Sequence, residues 1–292
     1  MTAGPVALAT SGALPHPDGD MPLLLAALAR SGVRARPAVW DDPSEDWGAF
    51  SLVVVRSTWD YITRRPEFVA WARSVPRLAN PAPVVGWNTD KRYLADLGGA
   101  GLPVADTTWV ALGEPAVLPD GPFVVKPTVS SGSQDSARYR GDGSDADQAL
   151  AHVARLHAAG RTAMVQPYLG AVDTAGESAL VYLGGRLSHT VRKGPMLAVG
   201  RIPGDVEHQA VGPRPATAAE EAVAERALGA VPGVAGPAGL LYARVDLVPG
   251  DDGRPVVLEL ELTEPSLFLD TDPAAAGRLA AAIAERVATG PP

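Results

Sequence analysis

The sequence predicts an α/β (α+β) fold from three patterns. Strand-like apolar runs alternate with helix-like stretches through about the first 85 residues. Two later pairs of strand-like runs flank short turns, at 184–185 and 250–253, as hairpins do. Helical periodicities separate the remaining strands and close the chain.

The elements follow in order. Residues 6–10 are a short apolar run before Ser11-Gly12, a first strand and its turn. Leu24, Leu25 and Leu28 give a helix over 21–30 one apolar face, and 33–40 make a second strand. Residues 51–55 are a continuous β-branched run, the mark of a parallel strand buried on both faces. Phe68, Val69 and Trp71 fall at helical spacing within 65–74. The turn-rich Asn80-Pro-Ala-Pro83 marks a boundary. A helix is expected over 88–98, with Asn88 or Thr89 as its N-cap and Gly98-Gly99 as its stop. Strands at 123–126 and 163–166 each end at a proline, and between them a helix over 148–159 turns Leu150, Val153 and Leu156 inward. Runs 179–183 and 186–192 flank Gly184-Gly185. Residues 194–215 are rich in Gly and Pro and read as a long mobile loop. A helix over 218–228 precedes the second hairpin, 240–248 with 255–263. The last helix, 274–287, sets Leu279, Ile283 and Val287 in register.

Composition excludes several classes. The 292 residues are 46% hydrophobic, enough for a sizeable core, and net charge is −8, which argues against a dedicated nucleic-acid binder. Cysteine is absent, so disulfides, thiolate metal sites and a cysteine nucleophile are excluded, and a reducing cytoplasm suits the chain. No apolar stretch approaches ~18 residues, so no membrane span is expected, and the first residues lack the basic n-region of a signal peptide. All six Trp lie at or before Trp109, so the N-terminal third should pack differently from the rest. Of 25 basic residues only Lys91, Lys126 and Lys193 are lysine, and Asn80 and Asn88 are the only asparagines. GC-rich coding explains that scarcity.

The second hairpin carries the sharpest chemical signal. Period-2 geometry puts Glu259 and Glu261 on one face and Val256, Leu258, Leu260 and Leu262 on the core face. A four-residue turn would set Arg244 opposite Glu259, with Asp246 beside it. Three carboxylates around an arginine suit a hard cation such as Mg²⁺. Pattern alone equally allows a solvated face of surface ion pairs. Lys126 ends a strand just before Val129-Ser-Ser-Gly-Ser133, a small hydroxyl-rich loop able to fold over phosphates, though such loops are usually plain connections. Gln166-Pro-Tyr-Leu169 is a strand running into a short linker, a plain strand end or a reader of adenine. Pro167 has no N–H, so Tyr168 or Leu169 would donate. His189 reads as structural. No P-loop, dinucleotide-binding glycine motif or nucleophile elbow is present.

These signals fall in one order: Asp90-Lys91, Val-Val-Lys126-Pro, Ser130 to Ser133, Gln166-Pro-Tyr-Leu, Gly176-Glu177, Arg192-Lys193-Gly, Arg244-Val-Asp246 and Leu258-Glu-Leu-Glu-Leu-Thr-Glu-Pro265. In that order the chain resembles the ATP-grasp superfamily of ATP-dependent carboxylate–amine ligases, over about residues 50–275, and looks nearest to its glutathione-synthetase-like and D-cycloserine-ligase-like branch. Arg56-Ser-Thr-Trp-Asp-Tyr61 looks like a further signature.

The resemblance implies an ATP-grasp fold behind an N-terminal Rossmann-like domain: 1–87, a first lobe at 88–165 and a second lobe with the metal site at 166–292. It implies ATP and Mg²⁺ as cofactors. Lys91 and Lys126 would contact phosphates under a mobile loop holding Ser131, Gly132 and Ser133. Gln166, Tyr168 and Leu169 would form the adenine hinge, and Glu177 would take the ribose. Asp246, Glu259 and Glu261 would hold Mg²⁺, although many family members carry Asn where Glu261 stands. Arg244 would stabilise the transferred phosphoryl group, with Arg192 and Lys193 carrying charge to it beside the 194–215 lid. Arg56, Ser57, Thr58 and Trp59 would bind a small amino-acid-like substrate. The activity implied is C–N bond formation through an acyl-phosphate, with ring closure of the D-cycloserine type as one form. A phosphotransferase or a non-catalytic nucleotide-binding module are the alternatives. No nucleic-acid or membrane partner is implied, and a homodimer is allowed.

Overall fold

The computed structural model describes residues 4–199 and 210–289. The N-terminal unit contains β1 (Val6–Thr10), α1 (Asp20–Arg30), β2 (Ala35–Val39), β3 (Leu52–Ser57), α2 (Arg65–Ser74) and β4 (Leu78–Ala79). Its strands form a parallel sheet in the order β2-β1-β3-β4. Alternate residues explain the continuous apolar runs. Ala7, Ala9, Val53 and Val55 pack under Phe68 and Trp71 of α2, where Trp40, Trp47 and Phe50 complete an aromatic cluster. Val6, Leu8, Leu52 and Val54 face the other way, onto Leu24 and Leu28 of α1. That second core also contains Leu279 and Ile283 of the last helix, so the two ends of the chain share one interior.

Two helices follow, α3 (Ala82–Asn88) and α4 (Tyr93–Gly99). They replace the single helix expected over 88–98. Proline in the first turn of α3 costs no intrahelical bond, so the segment that marked a boundary starts a helix, and Asn88 ends it.

The first lobe is an antiparallel sheet in the order β5-β8-β6-β7, built from β5 (Thr108–Val110), β6 (Phe123–Pro127), β7 (Ala137–Tyr139) and β8 (Ala163–Pro167). Helix α5 (Ala146–Ala158) covers one face through Ala149, Val153 and Leu156. Leu150, expected inward, is 43% exposed, and His152 takes the inward place, bonded to the Tyr139 hydroxyl at 2.9 Å. The other face, carrying Val124, Lys126 and Gln166, is turned to a cavity.

The second lobe begins with α6 (Ala171–Ala175), β9 (Glu177–Leu183), β10 (Arg186–Lys193) and β11 (Val211–Pro213). Then come α7 (Ala218–Gly229), β12 (Tyr242–Pro249), β13 (Pro255–Glu261) and α8 (Ala275–Thr289). The five strands run β11-β10-β9-β12-β13, all antiparallel. Gly184 and Gly185, at φ +58° and +79°, make the β9–β10 turn, which demands φ > 0 at both positions. The expected loop at 194–215 contains β11, and its 200–209 part lies outside the described residues.

β13 is an edge strand, and its outer backbone groups are covered. Asn88 binds the C=O of Leu260 and the N–H of Leu262, both at 2.7 Å. The Tyr93 hydroxyl accepts from the N–H of Leu260 at 2.9 Å. Asn80 donates to the C=O of Leu262 and of Tyr242 and accepts from the N–H of Leu241. A buried asparagine side chain thus replaces the missing neighbour strand. The two asparagines fix where β13 lies, and with it both glutamates.

Candidate active site

Between the two antiparallel sheets lies a cavity of about 550 Å³. Its floor is one face of the second-lobe sheet. The hairpin register that builds this face differs from the expectation. The turn has five residues, 250–254, because Pro249 pairs Pro255. A β-bulge then leaves Leu258 as an extra residue, so Asp246 pairs Glu259 and Arg244 pairs Glu261. A shift of one residue would have turned the glutamates away; the turn and the bulge supply one each, and two steps restore the face. The bulge also moves Leu258 out of the core to line the cavity, while Val257 becomes fully buried.

The floor is a lattice of opposite charges. Arg244 binds Asp246 through Nε and Nη2, both at 2.9 Å, and also pairs with Glu261. Lys193 binds Asp246 at 2.6 Å and Glu177 at 2.7 Å. Just before Glu177, Gly176 at φ +72° lies so near the Lys193 carbonyl that a Cβ there would stand 2.4 Å from its oxygen, which only glycine avoids. Lys91 joins the two lobes, binding Glu259 at 2.8 Å and the Ser130 C=O at 2.9 Å. Asp246, Glu259 and Glu261 each bring a carboxylate oxygen within 4.8 Å of the others.

Burial sets the protonation of this lattice. It opposes charge on Asp246, yet Arg244 and Lys193 hold that carboxyl below the usual carboxylate range. Glu259 is likewise held down, by Lys91 and Lys126 against burial. Burial pushes Glu261 up despite Arg244, and the neighbouring Glu259 and Asp246 charges add to the rise. A carboxyl short of positive charge beside two others is what a divalent ion would correct, so the donor set fits Mg²⁺. Lys126, on the opposite sheet, makes no ion pair among the described residues. Burial lowers it from 10.5 to about 8.

Most residues singled out in the sequence line this cavity. They include Lys91, Lys126, Lys193, Arg244, Glu177, Glu259, Glu261, Ser131, Gly132, Ser133 and Trp59. Gln166, Tyr168 and Leu169 form its rim on the first-lobe side. Asp246 lies beneath the floor, 1% exposed. Four residues sit elsewhere. Arg192 alternates away from Lys193 along β10 and binds the C=O groups of Thr174 and Ala175 at the end of α6. Arg56, Ser57 and Thr58 are buried and do not line the cavity. Arg56 pairs with Asp20 at 3.3 Å and donates to the Pro265 C=O at 3.1 Å. Nothing in the residue pattern pointed to a carboxylate of α1 as its partner.

Sequence reasoning missed the segment after β13. Four consecutive carbonyls accept from four side chains: Glu264 from Trp59, Pro265 from Arg56, Ser266 from Arg244 and Leu267 from His189. Asp20 accepts from the N–H groups of Leu267 and Leu269 at 2.6 and 2.8 Å. Glu264, Ser266 and Phe268 consequently face the cavity. The Glu264-Pro265 end of the Leu258–Pro265 motif was the available signal.

Comparison with known proteins identifies the family. A family model described as the N-terminal domain of the D-cycloserine synthetase DcsG matches residues 6–80. The cycloserine biosynthesis protein DcsG of Streptomyces lavendulae is 42% identical, across 97% of this chain and 99% of that protein. A crystal structure of D-cycloserine synthetase DcsG superposes with a TM-score of 0.88 at 41% identity, covering 97% of this chain and all of that one. D-alanine–D-alanine ligase of Bacillus anthracis, solved with ATP, shares the fold at a TM-score of 0.67 and 15% identity, over 98% of each chain. No helix among the described residues is long and apolar enough to cross a membrane. The chain belongs to the D-cycloserine synthetase family of ATP-grasp ligases and is an ATP-dependent enzyme that forms C–N bonds.

Proposed function

We propose that the chain closes the ring of D-cycloserine or a near analogue, using MgATP bound between its two antiparallel sheets. The observation that carries this is the cavity itself, with three carboxylates and Arg244 on one wall and, on the other, Lys126, which has no ion pair among the described residues. Opening the ring amide of D-cycloserine on paper leaves a carboxylate and an aminooxy group on one molecule. The carboxylate attacks the γ-phosphorus of ATP, forming an acyl-phosphate and releasing ADP. The aminooxy nitrogen then attacks the acyl carbon, the C–N bond forms, and inorganic phosphate and a proton leave.

Each residue has a part in that sequence. Lys126 and Lys91 neutralise phosphate oxygens beneath the Ser131–Ser133 loop. The Tyr168 N–H is already given to the Pro122 C=O at 2.7 Å, so Leu169 is the next main-chain donor for adenine. Gln166, held by Thr107 at 2.8 Å, lines the same pocket, and Glu177 takes the ribose. Asp246, Glu259 and Glu261 would hold Mg²⁺, which supplies Lewis-acid polarisation of the phosphates. Arg244 and Lys193 offset the charge of the transferred phosphoryl group. The enclosed site keeps water from the acyl-phosphate.

The test is ADP release with Mg²⁺ and D-2-amino-3-(aminooxy)propanoate, with products read by mass. ADP, phosphate and a product lighter by one water support ring closure. A stable phosphorylated product would point to a phosphotransferase, and absence of ATP binding would overturn both.

A further inference from the structure

Among the described residues, Glu264 is the one carboxylate on the cavity wall that the charge lattice does not use. Glu177, Glu259 and Glu261 are each paired with a lysine or arginine. Among the described residues no cation pairs with Glu264, and the Tyr61 side chain lies close enough to feel its charge. Its surroundings are aromatic. Trp59 and Tyr61 line the cavity beside it, and His16 lies against Trp59 with ring centroids 4.4 Å apart. Its backbone is held rigidly, since the four carbonyls from Glu264 to Leu267 are all bound by side chains.

We propose that Glu264 anchors the ammonium group on the carbon next to the substrate's reacting carboxylate, and so selects amino acids over plain acids. The proposal rests on the ligase reading above. Position supports it. Ser266, two residues along the same turn, is tied through its carbonyl to Arg244, which flanks the phosphoryl-transfer point. An α-ammonium lies only ~2.5 Å from its carboxylate carbon, so its anchor must come from wall adjoining that point. Glu264 is close enough to Lys91 and Glu259 to feel their charges. Electrostatics agree: burial pushes its carboxyl up to about 7, and an arriving cation would restore the charged form.

The test compares two substrates, D-2-amino-3-(aminooxy)propanoate and 3-(aminooxy)propanoate, in wild type, Glu264→Gln and Glu264→Asp. We expect Glu264→Gln to lower kcat/KM for the amino substrate ~10- to 100-fold. The KM for ATP and turnover of the desamino substrate should stay within ~threefold, so the preference collapses. Glu264→Asp should retain part of it. An unchanged preference in Glu264→Gln overturns the proposal. If wild type closes neither ring, the ligase reading fails separately. Calorimetry of the amino substrate on enzyme loaded with a non-hydrolysable ATP analogue then decides: weaker binding in Glu264→Gln supports the anchor, and equal or absent binding in wild type and variant overturns it.

Discussion

Replacing Lys126 by methionine should stabilise the empty protein and weaken ATP binding together. Among the described residues the ammonium on the first-lobe face has no ion-pair partner, and desolvation lowers it from 10.5 to about 8. That difference is a penalty of roughly 3 kcal/mol on the charged form, an upper value for what its removal can return. The sign follows from proton binding. Between pH 8 and 10.5 the unfolded chain holds the proton and the folded chain does not, so stability rises with pH there. Below pH 8 both forms are charged and the whole penalty is present. Urea melts at pH 7 should therefore show Lys126→Met more stable by about 1–2 kcal/mol, allowing for relaxation. Calorimetry should show affinity for a magnesium-loaded, non-hydrolysable ATP analogue at least ~tenfold lower, about 1.4 kcal/mol. Phosphate oxygens would raise the lysine's proton affinity, so at pH 8 wild type should take up roughly half a proton more than the variant on binding, seen by comparing buffers of different ionisation enthalpy. A variant less stable than wild type, with unchanged nucleotide affinity and unchanged proton uptake, would refute the assignment.

Three further outcomes follow from the same geometry. Glu259→Gln keeps the shape of the floor but removes a candidate ligand, and should lower Mg²⁺-dependent ATP turnover ~100-fold or more across a magnesium titration; wild-type activity would sink the metal reading. Arg192→Ala should leave kcat and the KM for ATP within ~twofold and cost at most ~1 kcal/mol in a melt, since its bonds are to α6 carbonyls; a tenfold fall in kcat would return Arg192 to the site. His152 is buried between Tyr139 and the Asp135 C=O, and burial lowers it from 6.5 to about 4. The unfolded chain gains that proton first, so stability falls as pH drops from 6.5 towards 4, by about 2 kcal/mol at pH 5. His152→Gln should flatten that slope in urea melts at pH 7 and 5, and an unaltered slope would disprove it.

What the sequence made legible followed periodicity and scarcity. Strands β1, β3 and β6 were readable because apolar runs report burial directly. The lysines were readable because the chain otherwise uses arginine, and all three line the cavity. The same logic applied to asparagine would have found Asn80 and Asn88, which clamp the edge of β13; their scarcity was visible and their contacts, more than 160 residues away in sequence, were not. Register was illegible for a similar reason. The turn is longer by one residue and a bulge falls at Leu258, where the neighbouring Val257 exchanges backbone hydrogen bonds with Pro103 and Ala105 of a distant loop. Arg56 was misplaced because position after a strand tells which end of the sheet a side chain is near, not which neighbour claims it. Asp20 claims Arg56, and together they hold the 265–269 backbone.

That holding network bears on how the empty site stays folded. Lys91, Lys126, Lys193 and Arg244 stand against Glu177, Asp246, Glu259 and Glu261, four basic and four acidic side chains in one enclosed place. Burying such groups unpaired would cost several kcal/mol apiece, so in the empty state all but Lys126 satisfy one another. Binding must then exchange partners rather than add them. Lys91 and Lys193 can turn to phosphate oxygens only as a cation takes over Glu259 and Asp246, so metal and nucleotide should bind cooperatively. Neither alone can leave the lattice balanced. Titrating Mg²⁺ with the ATP analogue absent, then present at saturation, should reveal at least a ~fivefold gain in metal affinity, about 1 kcal/mol of coupling. The reciprocal titration must give the same factor. Independent binding would mean that the lysines and carboxylates stay paired to each other throughout, and that the phosphates are met by Lys126 and the main chain alone.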